Sequence, residues 1–223
     1  MPRPTSVEDI EESLRRAASP DQVQLIAKRV PRDQIIGVRM KYTFDLAKSH
    51  RDLDLDVVRD LIRSHWYEMR MVAISILDAR ARRFAPMTPE RTALYELYLG
   101  EHQHIDTWDL VDRAAPRVVG EYLLDRSRSP LHALSRSSNP WERRTAIVAS
   151  FWIIRHGEPD DPLTILTTLA DDPETFVQTA LGTAVRELRR HHPEAAVEFE
   201  KDHTLSRAAQ RAAGVGRSDP ITK

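Results

Sequence analysis

The chain contains no cysteine, which removes disulfides, thiolate nucleophiles, CxxC redox pairs and cysteine-ligated zinc. Glycine is scarce, 7 in 223 residues. No Asn-Gly or Asp-Gly turn joins two apolar runs, and no stretch keeps the apolar–polar alternation of a half-buried strand. Neither GxGxxG nor a P-loop occurs, so a nucleotide cofactor is not expected. The opening MPRPTSVEDIEESLRR lacks the apolar core of a signal peptide. No apolar run approaches the roughly 18 residues that span a bilayer. A cytoplasmic protein with no membrane partner is expected. Lysine is rare, confined to Lys28, Lys41, Lys48, Lys201 and Lys223, so the basic residues are mostly arginine. The planar guanidinium suits phosphate, although a GC-rich genome would leave the same bias. A net charge of −1 with a pI near 6.8 gives no global pull toward nucleic acid, so the distribution of charge has to decide.

The chain does have helical periodicity, with 41% hydrophobic and 30% charged residues and enough length for a sizeable core. Amphipathic runs predict helices over Val7–Ala18, from Pro20 to about Val30, and over Tyr42–Ser49, Leu53–Ser64, Tyr67–Phe84 and Thr88–Gly100. The class is all-α. Four segments look alike: HWYEMRMVAISIL, DTWDLVDRAAPRVV, NPWERRTAIVASFWII and PETFVQTALGTAVREL. Each begins with polar or turn residues, places an aromatic early (Tyr67, Trp108, Trp141, Phe176) and then runs apolar on one face. Those aromatics recur every 33 to 41 residues, the period of HEAT- or armadillo-type helix pairs. The expected architecture is a single HEAT-like solenoid over residues 1–213 with a concave groove, followed by a mobile tail, GVGRSDPITK, at 214–223.

DTWDLVD, residues 106–112, carries three aspartates where a helix start needs one or two. Asp106 fits an N-cap and Asp109 a capping-box position. Asp112 lies beyond the first turn and four residues after Trp108, on the same helix face. It reads either as a solvated surface acid or as a carboxylate beside an exposed stacking plate. Trp141-Glu142-Arg143-Arg144 places two cations at the positive end of a helix dipole. A phosphate bound there would reconcile the pattern, and so would a surface network with Glu142. Arg70 stands three residues after Tyr67, as Arg144 does after Trp141. Trp152 and Phe176 have the positions of core residues. Glu101-His102-Gln103-His104 suits a loop metal site at best, with surface histidines the plainer reading.

DTWDLVD, NPWERRTAI and FVQTALGTAVREL together resemble the AlkD-like DNA alkylation repair family, the HEAT-repeat alkylpurine DNA glycosylases. IIGVRMKYTFDLAK is similar to that family's loop between early helices, and SHWYEMRMVAISIL to its next repeat. The resemblance implies that duplex DNA lies in the groove and that N3- and N7-alkylated purines are excised without obligatory base flipping. It implies that Trp108 contacts the lesion's deoxyribose, that Asp112 stabilises the oxocarbenium ion and positions water, and that Arg144 grips a phosphate. It places Arg39, Lys41, Arg70, Arg143, Thr183 and Arg186 among the DNA-binding residues. Two features depart from the pattern. Thr183 stands where the family usually has a second tryptophan, and Pro20–Met40 contains no aromatic. With no lysine near the motif for a Schiff base, the expectation is a monomeric, monofunctional hydrolase without metal or cofactor. The alternatives are a non-catalytic binder of damaged or branched DNA and a protein-interaction scaffold.

Overall fold

The computed structural model describes residues 6–214; apart from Gly214, the tail expected at 214–223 lies outside the described residues. Thirteen α-helices and no strand occur among them. Their contacts group into two compact units that meet in sequence at Val118–Val119.

The first unit holds α1 (Val7–Arg16), α2 (Pro20–Ile26), α3 (Met40–Ser49), α4 (Leu55–Ile62), α5 (Tyr67–Ala81), α6 (Pro89–Gly100) and α7 (Trp108–Ala114). Ser6 caps α1 in a reciprocal box with Asp9, each side chain accepting the other's backbone N–H. Ile10 and Leu14, one turn apart, turn the helix inward. Helix α5 is the centre of the unit: residues 67–78 and Ala81 are all buried. It is walled by α3, α4 and α7. Such burial on every side explains why its pattern is apolar nearly all round rather than amphipathic.

The second unit holds α8 (Ser129–Ser135), α9 (Pro140–His156), α10 (Asp160–Thr168), α11 (Thr175–His191), α12 (Pro193–Asp202) and α13 (Arg207–Ala213). Helices α9 and α11 pack together, and α13 crosses α11. Gly182 makes that crossing possible, since a Cβ there would sit 2.1 Å from the Ala209 carbonyl oxygen. Close approach of two backbones is the reason for glycine in mid-helix.

The four look-alike segments are α5, α7, α9 and α11, but their register differs from the one the aromatics suggest. Tyr67 and Trp108 are the first residues of their helices, whereas Trp141 and Phe176 are the second. The counterpart of Arg70 is therefore Arg143, not Arg144: each is the fourth residue of its helix.

Candidate active site and nucleic-acid interface

Trp108 opens α7 and is 45% exposed. Asp112, one turn on, is exposed as well, so a carboxylate and an indole stand together on one solvent-facing side. Leu110, Val111 and Ala114 take the buried side of the same helix. The other two aspartates of the motif have different duties from those the spacing suggests. Thr107, not Asp106, is the N-cap. Asp106 pairs with Arg70 at 3.2 Å. Asp109 accepts from Arg29 Nε (2.7 Å), the Tyr67 hydroxyl (2.6 Å), the Thr107 hydroxyl (2.6 Å) and its neighbour Leu110 N.

That network fixes what surrounds Trp108. Tyr67 is fully buried, and burial first, then the Asp109 carboxylate, hold its phenol well above the ordinary range. It therefore stays a donor. Burial would depress the Arg29 guanidinium, but the bonds to Tyr67 and Asp109 outweigh this and raise its pKa. Arg29 lies over the Tyr67 ring at 5.4 Å and over the Trp108 ring at 6.0 Å, within cation–π range of both. The motif alone does not point to Arg29, which lies 80 positions before Asp109.

The loop before α3 is held by another residue hidden in an apolar run. The buried Glu68 carboxylate accepts from the backbone N–H groups of Ile36 (3.0 Å), Gly37 (2.7 Å) and Val38 (3.2 Å). Gly37 adopts φ 96, a conformation open to glycine. This clasp sets the direction of the chain into α3, where Arg39 and Lys41 are exposed. Lys41 pairs with Asp45 one turn on.

Arg70 and Arg143, at two of the helix starts, meet acceptors within the protein itself. Arg70 Nη1 donates to the carbonyls of Ser64 and His65, both at 3.0 Å. Arg143 Nη1 donates in the same way to Ser137 (3.0 Å) and Ser138 (3.1 Å). Each is completed by an acid, Asp106 for Arg70 and Asp172 for Arg143 (2.6 Å). Gln178, fourth in α11, reaches back to the Leu169 and Ala170 carbonyls. The fourth helical residue thus staples the preceding turn in three helices. Arg70 and Arg144 are each 5% exposed. Arg144 donates to the Phe176 carbonyl.

Phe176 is half-buried and stacks on Trp141 with centroids 3.9 Å apart. Trp152 is likewise half-buried, stacked on His156. Neither is the closed core residue that its position suggests. Thr183 is half-buried and turns its hydroxyl onto the Thr179 carbonyl at 3.1 Å. Arg186 is exposed and donates to the Ala212 carbonyl near the end of α13. His102 is buried and edge-on to Tyr98, and Glu101 beside it is buried and bound by Arg63. The histidine pair is thus not simply a surface pair, and among the described residues no acid–histidine group could hold a metal ion.

The family of DNA alkylation repair enzymes matches residues 10–214 of the chain. The chain belongs to that family. No curated protein matches it. Among solved structures it is similar to a predicted DNA alkylation repair enzyme from Enterococcus faecalis, at 19% identity and a TM-score of 0.66. The match covers 91% of this chain and 97% of that one. It establishes the fold as HEAT-like and all-α. No described helix is long and apolar enough to cross a membrane.

Proposed function

We propose that this member of the DNA alkylation repair family is a monofunctional DNA glycosylase that hydrolyses the N-glycosidic bond of N3- and N7-alkylated purines. The observation that carries the reading is the joint exposure of Trp108 and Asp112 one turn apart on α7. An exposed indole with a carboxylate one turn away offers a partner both an aromatic face and a negative charge. A deoxyribose with a cationic base suits both, since aromatic faces attract cations and a carboxylate stabilises charge that develops on the sugar.

In the reaction, the C1′–N bond breaks and its electron pair neutralises the departing purine. The Asp112 carboxylate faces the oxocarbenium ion so formed. Water adds to C1′, its proton passing to Asp112 and on to solvent, which leaves an abasic site. Trp108 packs against the sugar. Double-stranded DNA is the partner, without cofactor or obligatory base flipping. Arg39, Lys41 and Arg186 are the surface cations proposed to meet phosphates. Thr183 is proposed to border the DNA without stacking on it. The carbonyl bonds of Arg70 and Arg143 give these two a supporting part, holding helix starts in place. Arg144 is proposed to join a phosphate contact with the Phe176 carbonyl bond as its anchor.

The test is release of free 7-methylguanine and 3-methyladenine from methylated duplex DNA. Release is the expected result. DNA binding that weakens steeply with salt, with no release, would instead support a non-catalytic binder. Thr183 favours that second reading, because a hydroxyl turned onto its own helix offers no stacking surface. Binding neither DNA nor lesion would leave a protein-interaction scaffold.

A further inference from the structure

The Arg29 guanidinium is held on one edge only. Its Nε donates to Asp109 at 2.7 Å and its Nη2 to the Tyr67 hydroxyl at 3.2 Å. Nη1 has no hydrogen-bond partner among the described residues, and the side chain is 25% exposed. A guanidinium presents five N–H donors in a rigid plane, so fixing Nε and Nη2 also fixes where Nη1 points. Rotamer freedom already lost in the free protein need not be lost on binding.

The charge of Arg29 is not simply cancelled by its ion pair. Asp109 takes three further hydrogen bonds, from Tyr67, Thr107 and Leu110 N. Its negative charge is therefore spread over four donors. The Arg29 guanidinium also lies 6.0 Å from the centre of the Trp108 ring, so a cation with unused N–H donors stands beside the exposed indole.

We propose that Arg29 is a phosphate-binding residue of this site. Its Nη1 grips a non-bridging oxygen of a phosphodiester on the strand that covers Trp108, and Asp109 and Tyr67 serve as the positioning residues that aim it. The inference rests on the DNA-binding part of the reading above and not on its chemistry.

The experiment is DNA binding by fluorescence anisotropy across a salt series, using an undamaged duplex and one with a stable abasic analogue. Wild type is compared with Arg29→Gln, Arg29→Lys and Lys28→Gln. Loss of one phosphate contact lowers the slope of log affinity against log salt by about 0.9. Arg29→Gln is expected to show that change with about a tenfold loss of affinity. The adjacent exposed Lys28, which removes the same charge, is expected to cost less than about twofold. Arg29→Lys keeps the charge, but its single ammonium is taken by Asp109, so it should lose the contact too; it also guards against misfolding of the neutral variant. An Arg29→Gln slope equal to wild type, a loss no greater than that of Lys28→Gln, or an Arg29→Lys slope equal to wild type would each overturn the proposal. A slope that depends on Arg29 in a protein that releases no base would sink the glycosylase reading and leave this inference standing. Failure of the wild type to bind either duplex would overturn both.

Discussion

Trp108 and Trp141 look interchangeable in the sequence, since each follows a turn and opens an apolar helical run. The molecule uses them differently. Trp108 is the first residue of α7, 45% exposed with Asp112 one turn on. Trp141 is the second residue of α9 and half-buried, its ring stacked on Phe176 at 3.9 Å. One position along a helix rotates a side chain by about 100°, enough to turn an aromatic from solvent toward a neighbouring helix. Register works together with what the ring meets, since Tyr67 is also the first residue of its helix and is fully buried, its hydroxyl bound to Asp109.

Substitutions can sharpen that contrast. Trp108→Ala is expected to cut base release by about tenfold to a hundredfold, the worth of an aromatic stack, with little change in Tm. Trp141→Ala is expected to do the reverse, losing about 2 kcal/mol of stability while keeping most activity in the folded fraction. Equal effects of both on release would break the distinction. Within α9, Arg143→Ala strips the cation from Asp172, whose side chain is 3% exposed. It should cost about 2 to 3 kcal/mol in chemical denaturation, without altering the salt dependence of DNA binding. Arg144→Ala should lower that salt slope as well as stability; a loss of stability alone would make Arg144 a structural residue only. The smallest effect concerns acid. A hydrogen bond from His132, with Arg128 adding to it against the opposing effect of burial, holds the Asp161 pKa below its ordinary value. Its stabilising contribution is complete above the ordinary carboxylate value near pH 4 and is lost as pH falls through the lower folded value. Asp161→Asn should therefore flatten the acid limb of the stability profile, and an unchanged limb would contradict the pairing.

Helices such as α1 and α4 were legible because a 3.6-residue apolar period survives in them, α5 because its run is apolar nearly all round, and helix starts such as Pro20 and Thr88–Pro89 are written locally. What stayed hidden depends on partners far along the chain. Asp106 and Asp109 have capping-box spacing, yet their partners are Arg70, 36 residues away, and Arg29, 80 residues away. Both acids are therefore drawn out of capping. Glu68 lies in the apolar run of α5, and nothing near it in sequence points to the backbone of residues 36–38 that closes on it. The matching arginines at helix starts suggested a phosphate because the carbonyls that bind them lie in the preceding turn, where no residue type signals an acceptor. Asp112 was the one acid whose position alone, past the first turn and beside Trp108, pointed outward.

Asp112→Asn tests the central claim most directly. Single-turnover release of 7-methylguanine from methylated duplex would be measured beside wild type, with DNA affinity followed in parallel. The account predicts release reduced by about a hundredfold or more, as when a group that stabilises developing charge is removed, with affinity equal or improved. Release at the wild-type rate would remove Asp112 from the chemistry and contradict the account.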